Sequence, residues 1–208
     1  MPAARQPRSN PLQSARFLLS AARPRQFPEP APEVAFAGRS NAGKSSALNR
    51  LCDQRGLART SKAPGRTRQI NFFELAGGAR LADLPGYGFA KVPESVRQDW
   101  ARLVEAYLSK RAGLAGVVLI MDARHPLKDF DLQMLDYAAG LELPVHLLLS
   151  KADKLKRNAR ERNLAWVRSE LGSETGVQLF SAESGLGIDE ARTTVCDWLG
   201  IARRDPKD

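Results

Sequence analysis

The stretch Gly38-Arg39-Ser40-Asn41-Ala42-Gly43-Lys44-Ser45 reads G-x-x-x-x-G-K-S, a spacing whose chemistry is phosphate binding. Its two glycines let the backbone curl and turn successive N–H groups toward an anion. Lys44 has the reach for β- and γ-phosphates, and the Ser45 hydroxyl is suited to Mg²⁺. The apolar run Val34-Ala35-Phe36-Ala37 before it suits a buried strand. Ser46-Ala47-Leu48-Asn49-Arg50-Leu51 after it suits a helix, whose N-terminus adds partial positive charge.

Three further groups follow in the order that a guanine-nucleotide switch requires. Asp83-Leu84-Pro85-Gly86 closes a short apolar stretch. There Asp83 can hold Mg²⁺ through water, and the Gly86 N–H can sense a γ-phosphate. Ser150-Lys151-Ala152-Asp153 follows Val145-His146-Leu147-Leu148-Leu149 and is a variant of N-K-x-D. The Asp153 carboxylate can accept from both the ring N–H and the exocyclic amine of guanine, a pair that adenine lacks. Lys151 can lay its aliphatic stem across the base. Phe180-Ser181-Ala182 offers backbone N–H groups to the guanine carbonyl. Each group falls at the C-terminal end of a plausible strand, where open α/β sheets bind ligands.

A threonine that covers γ-phosphate and Mg²⁺ belongs between the P-loop helix and the strand Ile70-Asn71-Phe72-Phe73. Thr67, just before that strand, is favoured over Thr60. Ras-type switches place a water-orienting glutamine directly after D-x-x-G. Tyr87 stands there instead. Either its outward phenol leaves intrinsic hydrolysis slow or dependent on a partner, or it is simply an exposed loop aromatic.

The segments G-R-S-N-A-G-K-S, K-A-P-G-R-T-R-Q-I-N-F-F, D-L-P-G-Y-G-F-A, M-D-A-R-H-P and S-K-A-D together resemble the EngB family, also called YihA or YsxC. These are ribosome-biogenesis GTP-binding proteins among the Era-like GTPases. The resemblance spans roughly residues 15–200. It implies one G domain that binds GTP or GDP with Mg²⁺, and a large-ribosomal-subunit partner met through rRNA. It also implies a need in cell division and septation. Carried over by motif, nucleotide contacts fall on Gly38 to Ser45; on Gly65, Arg66, Thr67, Arg68 and Gln69; on Asp83, Leu84, Pro85 and Gly86; on Ser150 to Asp153; and on Phe180 to Ala182. Ser45, Thr67 and Asp83 serve the metal, and Lys44, Thr67, Gly86 and Asn41 serve hydrolysis. Some Era-like GTPases use an Asn at the position of Asn41 to bind K⁺. That gives Asn41 two readings, a K⁺ ligand or a loop-shaping residue. Ser150 departs from the family's usual Thr, and Ala182-Glu183 departs from its S-S run.

The chain has 208 residues and a net charge of +9, enough length for one substantial core. Basic residues group at Arg5 to Arg25, at Arg55 to Arg68 and at Lys154 to Arg162. A polyanionic partner such as rRNA suits that distribution. Residues 1–28 read as a largely disordered basic arm, in which Phe17-Leu18-Leu19-Ser20-Ala21-Ala22 is a stretch able to dock on the domain, 29–200 as the G domain and 201–208 as a polar tail. No apolar run reaches the ~20 residues of a membrane helix, and the N-terminal apolar stretch is too short for a signal peptide, so a cytoplasmic location is expected; a monomer is expected. Cys52 and Cys196 read as apolar fillers. His146 reads as a core histidine, and Asp122-Ala123-Arg124-His125, at the end of a strand, as a loop brace in preference to a site element. Trp100, Trp166 and Trp198 read as core or partial-core anchors.

Helical patterns cover about 94–110, 129–140, 158–171 and 188–199. Strands cover 34–38, 70–75, 79–83, 117–122, 145–150 and 177–181. The alternation predicts a mostly parallel, doubly wound α/β sheet with helices on both faces. The pair joined across Gly77-Gly78 predicts a hairpin that supplies one antiparallel strand. The function expected is a slow GTPase switch for large-subunit assembly. Its rival is a GDP/GTP sensor acting on a division protein.

Overall fold

A computed structural model describes residues 9–58, 69–88 and 94–202. Seven strands form one sheet in the order β1-β3-β4-β2-β5-β6-β7. They are β1 Arg16–Ala21, β2 Glu33–Gly38, β3 Ile70–Glu74, β4 Arg80–Asp83, β5 Leu114–Asp122, β6 Val145–Ser150 and β7 Gly176–Leu179. The helices are α1 Lys44–Leu51, α2 Glu94–Lys110, α3 Asp129–Gly140, α4 Arg157–Leu171 and α5 Ile188–Trp198. Strand β3 runs antiparallel to both its neighbours, β1 and β4, and the remaining pairings are parallel. The single reversed strand and the hairpin are those read from Gly77-Gly78.

Burial on both faces explains why the central strands are continuously apolar. In β2, Val34 and Phe36 join Val118 and Ile120 of β5 beneath α1 and α5, with Leu48, Leu51, Val195 and Cys196. Ala35 and Ala37 point the other way. They join Leu119, Met121, Leu147 and Leu149 beneath Tyr107 of α2, Met134 and Leu135 of α3, and Val167 of α4. Cys52 and Cys196 are both fully buried, as fillers should be. Burial pushes the Cys52 thiol up to about 12, despite the opposing charge of Arg192, so thiolate is scarce at neutral pH. His146 is buried, with Nε2 2.8 Å from Gln178 Oε1. Trp100 and Trp198 are half-buried, but Trp166 is 45% exposed and is no core anchor.

The N-terminal segment departs from the disordered arm expected for residues 1–28, except that the stretch Phe17 to Ala22 does dock on the domain, as a strand up to Ala21. From residue 9 onward it is part of the domain. Strand β1 pairs with β3, and Ser20 Oγ donates to Asn71 Oδ1 at 2.7 Å. Leu12 is fully buried in the α1/α5 layer. Gln54 Nε2 donates to the carbonyls of Gln13 and Ala15, both at 2.7 Å. An irregularity between Phe17 and Leu19 breaks the period of two, so the strand left no clean alternation to read. Thr60, Gly65, Arg66, Thr67 and Arg68 lie outside the described residues, as do residues 1–8 and 203–208.

The opening of β2 carries a buried ion pair. Glu33 is fully buried and accepts from Arg111 Nε and Nη2, each at 3.0 Å, and from the Tyr107 hydroxyl at 2.5 Å. This bidentate contact anchors the end of α2 to the sheet.

Candidate functional site

Four loops leave the carboxyl ends of β2, β4, β6 and β7 and meet at one edge of the sheet. The first runs from Gly38 into α1. Space and backbone geometry both require its glycines. A Cβ on Gly38 would stand 2.7 Å from the Ile120 carbonyl oxygen, and Gly43 has φ 100°. Ala42 N–H donates to the Arg39 carbonyl at 3.0 Å, which tightens the curl. The first-turn N–H groups of α1, on Lys44, Ser45 and Ser46, have no acceptor within the helix and line the loop mouth. Asn41 takes φ 64°, a left-handed value that Asn tolerates, and this supports its loop-shaping reading.

Strand pairing carries Asp83 to this loop. Asp83 pairs with Phe36, and Leu84 N–H donates to the Phe36 carbonyl at 2.9 Å. The pairing then continues past the strands, where Ser40 N–H donates to the Tyr87 carbonyl at 2.8 Å. Gly86 therefore lies against Ser40, and a Cβ there would be 3.5 Å from Ser40 N. Lys44 Nζ forms an ion pair with Asp83 Oδ1, with both side chains largely buried. Asn71 Nδ2 approaches the other oxygen at 3.5 Å. Lys44, Ser45 and Asp83 thus gather a cation, an alcohol and a carboxylate at one loop mouth, a set whose chemistry suits phosphates and a divalent cation. An alcohol and one carboxylate suit Mg²⁺, which keeps water and takes phosphate oxygens rather than an all-protein cage.

The base-side loops are tied to the P-loop. Ser150 Oγ donates to the Ala42 carbonyl, and Lys151 Nζ donates to the Asn41 carbonyl. Lys151, in the left-handed region at φ 56°, also reaches Asp122 Oδ2 at 3.0 Å. Its stem passes over Gly43, where a Cβ would lie 3.8 Å from Lys151 Cε. Burial would raise the Asp122 carboxyl, but hydrogen bonds from Arg124 and Lys151 outweigh it and hold Asp122 well below the usual carboxylate range. Asp122 is a brace, as read from D-A-R-H, and the residue it braces is Lys151.

Asp153 accepts from Ser181 Oγ at 2.6 Å and pairs with Lys154 at 3.1 Å. The Ser181 bond foremost, aided by Lys154, lowers the Asp153 carboxyl despite some burial. Ala152 N–H donates to the Phe180 carbonyl at 3.1 Å, so the two base-side loops are stitched together. Of the expected donors, Phe180 and Ser181 spend their N–H groups on the carbonyls of Leu149 and Leu186, and the Phe180 side chain lies in the core. That leaves Ala182 N–H as the backbone donor of this loop that fits a base carbonyl. Gln69, just before β3, is exposed.

Tyr87 is neither held outward nor exposed. It is 4% exposed, its hydroxyl donates to Asp131 Oδ1 at 3.0 Å, and its ring meets Trp100 edge-on at 5.8 Å. Burial, then the adjacent Asp131, pushes its phenol well above the ordinary tyrosine value. Asp131 was missed in the sequence because an acid in the first turn of a helix reads as a cap. It also is one, accepting from Lys128 N–H at 3.2 Å.

The family model described as 50S ribosome-binding GTPase matches residues 33–151. The chain is 52% identical over 195 residues to the probable GTP-binding protein EngB of Stenotrophomonas maltophilia, covering 91% of this chain and 98% of that one. It is 53% identical over 196 residues to the protein of the same name in Aromatoleum aromaticum, covering 92% and 91%. A crystal structure of a probable GTP-binding protein engB shares the fold at TM-score 0.67 and 22% identity, over 81% of this chain and 98% of that one. Era in complex with MgGDPNP and part of 16S ribosomal RNA shares it at TM-score 0.64 and 20% identity, over 86% and 60%.

Proposed function

This chain belongs to the EngB family of GTP-binding proteins, and from that premise we propose that it is a GTP-hydrolysing switch that assists assembly of the large ribosomal subunit. The observation that carries the proposal is the joining of base-side and phosphate-side loops. Ser150 and Lys151 hold the P-loop, while Asp153 is held ready for a base by Ser181. Guanine N1–H and its exocyclic amine donate to Asp153, and Ala182 N–H meets the carbonyl. Lys44 would pair with the β- and γ-phosphates in place of Asp83, and Ser45, with Asp83 through water, would hold Mg²⁺; Thr67, outside the described residues, would be the further ligand that the family resemblance implies. Mg²⁺ supplies charge neutralisation along the phosphates.

Hydrolysis by this chain alone is slow. The residue after D-x-x-G has its hydroxyl bonded to Asp131 and cannot orient the attacking water. A partner or a monovalent cation supplies the missing assistance. K⁺ beside Asn41 is one such source, and equal turnover in K⁺ and Na⁺ buffers would dismiss it.

The ribosomal partner meets the exposed face of α4 and the turn before it. Lys154, Lys156, Arg157 and Arg162 are exposed there, with Trp166 one helical turn beyond Arg162. Cations beside an exposed indole suit RNA, as phosphate neutralisation with base stacking. The division and septation phenotype implied by the resemblance follows from ribosome supply. Among the described residues no helix is long and apolar enough to cross a membrane. GTP turnover measured with and without purified large subunits tests the reading. Stimulation is expected, and turnover indifferent to subunits would favour the sensor that acts on a division protein.

A further inference from the structure

Asp131 lies in the first turn of α3, outside every motif of the nucleotide site, and its side chain is fully buried. Oδ1 accepts the Tyr87 hydroxyl at 3.0 Å, and Oδ2 accepts Arg39 Nε at 3.0 Å. Arg39 follows the first glycine of the P-loop, and Tyr87 follows Gly86 of D-x-x-G. One carboxylate therefore bridges the two segments that flank the γ-phosphate position. Arg39 is held from a second side, where Nη2 donates to the His125 carbonyl at 2.8 Å. Trp100 supports the other arm, since its Nε1 donates to the Pro85 carbonyl at 2.9 Å while its ring abuts Tyr87. Asp131 pins two loops, which a helix cap alone does not require.

We propose that Asp131 is a positioning residue for γ-phosphate recognition: by tying Tyr87 to Arg39 it fixes the Gly86 N–H against Ser40 before nucleotide binds. The inference rests on the GTP-switch reading above. A wall set in advance costs no ordering on binding. Without it GTP must order that wall itself, whereas GDP, having no γ-phosphate, is indifferent. Asp131 thus contributes to the preference for GTP over GDP without touching either.

The test measures affinities for GDP and a non-hydrolysable GTP analogue, with melting temperature alongside, on wild type, Asp131→Asn, Tyr87→Phe and the double variant. Asp131→Asn keeps the side-chain volume, and Tyr87→Phe keeps the ring on Trp100. The expected result is analogue binding weakened about tenfold, the scale of one hydrogen bond to a charged group, with GDP binding held within about twofold. The double variant should be no worse than the poorer single, because both changes act on the same Tyr87–Asp131–Arg39 link: asparagine has one acceptor oxygen where the carboxylate has two, and phenylalanine has no hydroxyl to donate. Arg111→Ala serves as control, since it loosens the fold far from the site and should leave the ratio unchanged. Equal weakening of both nucleotides, an unchanged ratio, or a ratio that also shifts in Arg111→Ala would each overturn the inference and leave Asp131 a structural prop. A wild-type chain that binds neither nucleotide would defeat the GTP reading itself, and the inference with it.

Discussion

The Ser150 hydroxyl donates to the carbonyl of Ala42, a bond across 108 positions of sequence that joins the base-side loop to the phosphate loop. Ser150 stands in place of the Asn of N-K-x-D, and its short side chain suffices because β6 delivers it directly under the P-loop. Ser150→Ala should weaken GDP and GTP alike, by three- to tenfold, which is about 0.5–1.5 kcal/mol for one buried hydrogen bond. Fluorescent-GDP titration checks this, and unchanged affinity would mean that the P-loop holds its shape unaided.

Asp153 should decide base identity. Asp153→Asn should lose guanine binding and gain xanthine nucleotide, because the new amide donates to the carbonyl that xanthine carries in place of the amine. Competition between GDP and XDP reads this out, and retained GDP preference would place recognition elsewhere.

Ser181 sets the acid limit of that recognition. The folded-state carboxyl of Asp153 is lowered, chiefly by Ser181, so the charge that binds guanine persists below the ordinary aspartate range and fails only as pH falls further. Ser181→Ala should move the acid limb of GDP affinity to higher pH. A limb that stays in place would assign the shift to Lys154.

Stability should hinge on a pair remote from the nucleotide. Arg111→Ala leaves Glu33 fully buried without its cationic partner. Loss of one partner of such a pair costs about 3–5 kcal/mol. Chemical denaturation should show that loss, with nucleotide affinity of the folded protein retained.

Much of the fold could be read from the sequence, because strands buried on both faces and helices buried on one leave unlike periods. The bounds of α2, α3 and β6 match their expected ranges. The phosphate and base motifs are local in sequence, and each lies at a strand end as read. Long-range side-chain partnerships were not legible. Nothing near Tyr87 indicates that its hydroxyl meets an acid in α3, and nothing near Ser150 points to Ala42. The apolar stretch from Phe17 to Ala22 could be read as docking on the domain, but that it docks as strand β1 was hidden for a different reason. Prolines, arginines and a bulge obscured a segment that holds its place through Leu12, Gln54 and the edge of β3.

The α4 face should carry part of any RNA affinity. Lys156→Glu with Arg162→Glu should flatten the salt dependence of large-subunit binding by roughly two units of slope, at about one unit for each phosphate no longer neutralised. Nucleotide affinity should be unaffected, and an unchanged slope would move the docking face elsewhere.

Co-sedimentation with purified large ribosomal subunits tests the central claim most directly. It compares a non-hydrolysable GTP analogue, GDP and an ATP analogue across a salt series, because a chain of net charge +9 adheres to RNA at low salt whatever it binds. The expected result is binding that survives moderate salt only with the GTP analogue. Binding that ignores the nucleotide and vanishes as salt rises would contradict the account.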